Sequence, residues 1–469
     1  MRINRKGLVT YLKISRVINR LNAAFPAASY SKDTVLVILI NLVLAVVAFG
    51  KDMFLAAYLG TSAEADAFLV SYFVVDTLGN NLLATALGIA GLPVLAGLKM
   101  QGLKQRFNKA VLAMAVFSLL AGGILTLLMW MGREPILDLF GSGLTPATVR
   151  LGTSVFSIIL PAMVLFPLAS VGTSILQVHG RFSLPALGPV VFNAVFLAGL
   201  IGLWQATIPP AQGVRWLGMA ILAALCTMLI TLWLPIFKSG QVRLGRLGWG
   251  LSSELQAVFR RFLPYLAVIM STQVTYAVER YLAAGQGIGN VAALNYAFRL
   301  VQFPIWVFVA AVSNVMFPAM AKAYSRGENP EFRRLVRKSL GACILVTVPV
   351  MLILFLGRRP IVALLFERGA FSAYSVGITA TIMGGYTLTI VWQGVSTILL
   401  RALLSIGRTG LGTIAAWLAF IVNVGFDFST VPVIGVSGIG YGAALGAFIN
   451  ALLLLVFFRW ATRVRPITS

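Results

Sequence analysis

The stretch VAALNYAFRLVQFPIWVFVAA (291–311) holds one guanidinium, Arg299, inside a run whose residues are almost all apolar or aromatic. An ionisable group in such a run is costly unless it pairs or faces a polar cavity. In a cavity, a guanidinium suits bidentate capture of a phosphate. The competing assignment is a buried ion pair, with Asp76 as the partner. Asp76 lies in SYFVVDTLGNNLLATALG (71–88), followed by Asn80 and Asn81, and Gly79 and Gly88 would let that segment bend. Two charged doublets, Lys51–Asp52 and Glu279–Arg280, close two further apolar segments. They read either as cavity groups or as interfacial side chains that snorkel and pair locally. Gln273, Gln302, Asn314, Gln393, Asn423 and Asn450 add amides inside apolar runs. Nothing in this set forms a nucleophile–base pair. The only histidine, His179, cannot build a metal site alone, and Cys226 and Cys343 give neither a disulfide framework nor metal spacing. These residues suit transport rather than catalysis.

Such groups need helices in a bilayer to position them. Of 469 residues, 59% are hydrophobic and 11% charged, whereas soluble domains carry about a quarter charged residues. No soluble fold of this size could cover so much apolar surface. The net charge of +24 lies in short runs between apolar segments, with no soluble domain to carry a nucleic-acid-binding face. Apolar spans at 34–50, 66–97, 108–131, 147–178, 184–204, 214–237, 257–284, 291–321, 339–357, 373–403, 411–426 and 436–460 predict twelve crossings, since a crossing needs roughly 20 residues. The runs are continuous, which favours helix over barrel strand. Of the 37 Lys and Arg residues, 28 fall on the side of the N-terminal tail and eight on the other, with Arg299 inside a span. That asymmetry predicts both termini in the cytoplasm of a multi-pass cell-membrane protein. The basic N-terminal segment 1–33 reads as a helix lying on the anionic inner leaflet.

The chain also repeats itself. REPILDLFGSG (133–143) matches RRPIVALLFERG (358–369), and GLPVLAGLKMQG (91–102) matches MFPAMAKAYSRG (316–327), at an offset near 225. GKDMFLAAYLG (50–60) pairs more loosely with VERYLAAGQG (278–287). The predicted fold is therefore an all-α membrane protein of about twelve helices in two parallel six-helix bundles, 34–237 and 257–460. A linker, 238–256, joins them, and a short tail, 461–469, follows. An even helix count keeps the halves parallel and leaves a central cleft that rocking would expose alternately.

Three blocks resemble the MurJ/MviN family of lipid II flippases, in the larger superfamily that includes oligosaccharide flippases and drug-extruding MATE transporters. They are AFGKDMFLAAYLGTSAEADAF (48–68), NYAFRLVQFPIWVFVAAVSNVMFPAMAKA (295–323) and LLFERGAFSAYSV (364–376). The resemblance implies that Arg299 is a cavity arginine contacting substrate, and that Asp52 and Asp66 hold family positions. Lys51 stands where the family usually has arginine, Ala45 where it has another cavity arginine, and Gly79 and Asn80 where it has basic residues. Familiar members have fourteen helices. What the resemblance implies is a flippase carrying a polyprenyl-pyrophosphate saccharide, lipid II or a close relative, across the membrane by alternating access. Related readings are a lipid-linked exopolysaccharide, capsule or teichuronic repeat unit, and a MATE-like cation/drug antiporter. The expected substrate site is Arg299, Lys51, Asp52, Asp66, Asp76, Asn80, Asn81, Glu279, Arg280 and Gln302. No metal or cofactor is expected; a coupling ion and the membrane potential both stay open as the driving force. The implied partners are the lipid-linked saccharide, membrane lipids and a cell-wall or polysaccharide synthase, with no nucleic acid.

Overall fold

A computed structural model describes residues 32–141, 143–240, 242 and 253–463. The basic N-terminal segment, most of the 238–256 linker and the end of the tail lie outside these residues. The described chain is helical, with no strand among the described residues. Its long helices are α1 (Lys32–Leu59), α2 (Ala63–Met100), α3 (Lys104–Met131), α4 (Pro146–Val178), α5 (Ser183–Gln205) and α6 (Pro210–Lys238). After them come α7 (Ser253–Ala284), α8 (290–325), α9 (Asn329–Leu356), α10 (Ala373–Ser405), α11 (Thr409–Ile434) and α12 (Ser437–Arg463). Two short helices, Arg133–Phe140 and Arg358–Phe366, each follow a glycine at the end of a long helix. They fall on matched segments of the two halves, REPILDLFGSG and RRPIVALLFERG, so the repeat is one of structure as well as of sequence.

Eleven of the described helices are long and apolar enough to cross a membrane, which makes this a multi-pass membrane protein. The twelfth predicted crossing, α7, has 32 residues and ample length. It falls short in apolarity because it carries Ser271, Thr272, Gln273, Thr275, Glu279 and Arg280, most of which face a cavity described below. Two predicted ends move. The first span was expected to stop near residue 50, with Lys51–Asp52 at the membrane surface. Instead α1 runs to Leu59, and the doublet sits inside the helix. Likewise α11 runs past residue 426 to Ile434 and takes Asp427 into its interior.

The second helix of each half contains a π-helical segment, Asp76–Ala84 in α2 and Ile305–Val309 in α8. Such segments occur where a helix is bent or strained for function. The two therefore mark matched places in the two halves.

How the halves meet decides the shape. One buried cluster runs through α1, α2, α4, α5 and α6 and on into the C-terminal half, for example through Phe68, Phe156, Tyr296, Phe366 and Phe371. A second cluster, including Leu87, Phe107, Met114, Leu176 and Ile236, belongs to the N-terminal half and includes Val258 and Phe262 of α7. Phe117 stacks edge-on against Phe259 and Phe262 of the same helix, with ring centres 4.8 and 5.8 Å apart. The first half of α7 thus packs on the N-terminal half, and its last turns pack on α8 through Tyr276 and Phe298. Broad apolar contact joins the halves at the end where α1 turns into α2. At the opposite end, which carries the α2–α3, α4–α5, α8–α9 and α10–α11 turns, α7 supplies the shared buried packing among the described residues. The result is a cleft sealed at one end.

The seal is made of backbone and small side chains. The Ala370 N–H donates to the Ala57 carbonyl at 2.7 Å, and the Thr61 and Ser375 hydroxyls lie 2.7 Å apart. Gly60 and Gly369 both have positive φ at this seam, and a Cβ on either would overlap backbone of the other half, Ala370 O and Ala57 O respectively. Glycine is needed here both for its left-handed backbone and for the close approach.

Candidate functional site

On α8, Asn295 and Arg299 are four residues apart and share one face. They line a small cavity with Lys51, Asp52 and Leu55 of α1, Phe68, Leu69 and Tyr72 of α2, Phe192 and Phe196 of α5, and Ile221 of α6. Lys51 Nζ lies 2.9 Å from Asp52 Oδ1, and Arg299 Nε lies 3.8 Å from Asp52 Oδ2. Two cations therefore share one carboxylate, so the ionisable lining residues sum to a single positive charge. Arg299 Nε makes no hydrogen bond although it is buried. The 3.8 Å contact is an ion pair without a hydrogen bond, and the guanidinium keeps its donors uncommitted. Lys51 also sits 5.9 Å over the Phe196 ring.

The competing assignment, an Arg299–Asp76 pair, is not among the ion pairs of the described residues. Asp76 instead accepts Nδ2–H bonds from Asn80 and Asn81, both at 3.0 Å. The π-helical segment explains how one carboxylate reaches both amides. Its wider turn brings residue i+5 above residue i, alongside the usual i+4 neighbour. Gly79 does not open toward the cavity. A Cβ there would stand 3.0 Å from Met163 Cα and 3.3 Å from the Phe166 ring. The basic residue that the family resemblance leads one to expect at 79 would therefore meet α4.

Other expected site residues are held elsewhere. Asp66 is fully buried and accepts the N–H groups of Gly289 (2.5 Å) and Ala292 (2.8 Å). These are the first-turn donors of α8, so a carboxylate from one half caps a helix of the other. Asp66 belongs to the seal rather than to a substrate cavity. Arg280 also lies between the halves, with its guanidinium 4.1 Å from the Phe73 ring centre and Nη1 donating to Tyr276 O at 3.1 Å. Glu279 and Gln302 line a different, roomier cavity inside the C-terminal half, with Thr275, Tyr276, Phe298, Tyr386, Gln393, Asn423 and Asn450. Glu279 accepts the Tyr386 hydroxyl at 2.5 Å, and Gln302 Nε2 donates to Gln393 Oε1 at 3.2 Å. Helix α8 is thus a partition, with Asn295 and Arg299 facing one cavity and Phe298 and Gln302 the other.

Sequence reasoning missed Asp427. It lies one turn beyond Asn423, fully buried, and neither of its oxygens has a hydrogen-bond partner. The sequence did hold a signal, since Asp427 is four residues from Asn423 on one helical face and an apolar run, STVPVI, follows it closely.

Comparison with known proteins agrees with this architecture. A probable lipid II flippase MurJ of Rhizobium meliloti is 28% identical over 426 residues, covering 88% of this chain and 77% of that protein. The solved structure of a lipid II flippase MurJ in an inward closed conformation aligns with a TM-score of 0.79 at 21% identity, over 91% of this chain and 87% of that one. An inward-facing multidrug resistance MATE transporter of the MOP superfamily aligns at 0.78 and 16% identity, over 90% and 94% of the two chains. The family model described as lipid II flippase MurJ matches residues 55–467, and by that match the chain belongs to this family.

Proposed function

We propose that the protein flips a polyprenyl-pyrophosphate-linked cell-wall precursor, lipid II or a close relative, for peptidoglycan synthesis. The observation that carries this reading is Arg299, a partly exposed guanidinium without hydrogen bonds in a cavity between the halves, in a chain of the lipid II flippase family. A pyrophosphate entering this cavity meets Arg299 and Lys51, whose common counter-ion, Asp52, is only loosely held by the arginine. The incoming anion takes the place of Asp52 at the guanidinium as a bidentate partner. Phe68, Phe192 and Phe196 give the cavity apolar walls, which strengthens the electrostatic contact by excluding water. The polyprenyl tail stays in lipid beside the cleft. With the basic loops on the cytoplasmic side, the sealed end faces outward, and the cleft admits substrate from the inner leaflet. Parting the seal while the basic end closes completes the transfer. The synthase that consumes the product is a partner implied by this role.

A second reading, export of a cationic solute, is favoured by Glu279 and Asp427, two buried carboxyls with no ion pair among the described residues. In the first reading the same carboxyls would hold a coupling cation instead. Complementation separates the two. The full chain should restore growth to a strain depleted of its lipid II flippase, and Arg299→Ala should not, at equal protein level in the membrane. Failure of the intact chain to rescue, together with cation-dependent drug efflux, would replace the first reading by the second.

A further inference from the structure

A second, small basic cavity lies far along the fold from Arg299, at the end of the C-terminal half opposite the seal. The α8–α9 turn, the α10–α11 turn and the last turn of α12 frame it. Arg333 and Arg408 line it together with Asn329 and Tyr324, over a floor that includes Phe332 and Ile406. Among the described residues, no carboxylate lines it. Glu331, the nearby acid on α9, is 3.6 Å from Arg334, and Glu328 at the start of α9 is outside the lining. Arg333 is held across the gap by Nη2–H donation to the Thr462 carbonyl at 2.7 Å. Arg408 lies 6.0 Å over the ring of Trp460, which is half exposed at the rim. Two guanidiniums above an apolar floor, beside an exposed indole at the ends of membrane-crossing helices, match the depth and charge of a phospholipid headgroup.

We propose that this cavity binds the headgroup phosphate of an anionic glycerophospholipid, and that the bound lipid braces α9, the α10–α11 turn and the end of α12 against one another. The phosphate bridges Arg333 and Arg408, and the glycerol backbone lies over Phe332 and Ile406 toward the acyl region. The site is separate from the substrate cavity and does not depend on what that cavity carries.

The test uses the purified full-length protein in detergent, titrated with phosphatidylglycerol or phosphatidylcholine and read by native mass spectrometry. Phosphatidylglycerol should bind in preference. Arg408→Gln, which removes no hydrogen bond of the fold, should weaken it about fivefold, and Arg333→Gln/Arg408→Gln roughly 25-fold, at about one basic side chain's interfacial contribution each. Arg333→Lys should keep most of the binding, which separates charge from the Thr462 contact. Equal affinity for the two lipids, or unchanged phosphatidylglycerol affinity in Arg408→Gln, overturns the site. Displacement of the lipid by millimolar inorganic phosphate would assign the cavity to a soluble phosphate compound and overturn the lipid as its ligand.

Discussion

The seal between the halves rests on a bond pattern whose removal has a calculable cost. Asp66 accepts two N–H groups from the start of α8 in a fully buried setting. Charge-assisted bonds contribute about 1.5–3 kcal/mol each. When the halves part, water satisfies the same N–H groups, so the loss in Asp66→Ala falls on the sealed form alone. Two bonds, discounted because they share one carboxylate, come to about 3 kcal/mol, which shifts the sealed-to-open ratio by roughly a hundredfold. A disulfide reports this directly. Thr61 and Ser375 have hydroxyls 2.7 Å apart across the seam, so Thr61→Cys with Ser375→Cys places two thiols within bonding reach. The background should be Cys226→Ser, because Cys226 is exposed, while Cys343 is buried and can remain. Under mild oxidant the pair should cross-link quickly in the otherwise native chain and far more slowly with Asp66→Ala. Cross-linking at an unchanged rate would show that the carboxylate does not hold the seal and would refute the capping argument.

Other outcomes follow from the same geometry. Arg299→Ala should abolish complementation at normal protein level, while Arg299→Lys keeps charge but loses the planar fork and should recover only part of it. Because Asp76 is bonded to Asn80 and Asn81 and not to Arg299, Asp76→Asn should be mild, and its effect should add to that of Arg299→Ala. A double variant that outperforms Arg299→Ala would reveal a direct pair after all. Gly79→Arg, the basic residue expected from the family resemblance, should lower the melting temperature and membrane yield, since its Cβ meets Met163 Cα at 3.0 Å; overpacking of this kind costs about 1–3 kcal/mol. Asp52→Ala strips the shared counter-ion from Lys51 and Arg299 and should destabilise the empty transporter by about 3 kcal/mol, with part of that recovered on adding an anionic substrate analogue.

The class of this protein was legible because it depends on composition and on local runs. A chain that is 59% hydrophobic, broken by basic turns, has to cross a bilayer many times. The repeat is local pattern too, and the short helices at Arg133–Phe140 and Arg358–Phe366 fall on one of its matched segments. Arg299 stood out for the same reason, as a lone charge in an apolar run. Helix ends were less legible. Lys51–Asp52 was open to an interfacial as well as a cavity reading, and Asp427 falls just past the expected end of its span, because charge usually marks the end of a span. Lys51 and Asp52 lie inside a helix because Arg299 and the cavity accommodate them, whereas Asp427 is taken into its helix with no hydrogen-bond partner for either oxygen.

Partners across the fold were not readable at all. Asp66 and Gly289 are 223 residues apart, and Asp52 meets Arg299 only because α1 and α8 face one cavity. Glu279 and Arg280 are neighbours in the chain, yet one turns into the C-terminal cavity and the other onto Phe73 of the opposite half. The sequence by itself determined that these charges would be buried in a membrane bundle of two related halves, since that follows from hydropathy, helical spacing and repetition along the chain. Which charge faces substrate and which one locks the halves was decided only by tertiary packing, because a carboxylate's role depends on the donors within about 3 Å of it, and those donors come from helices distant in sequence.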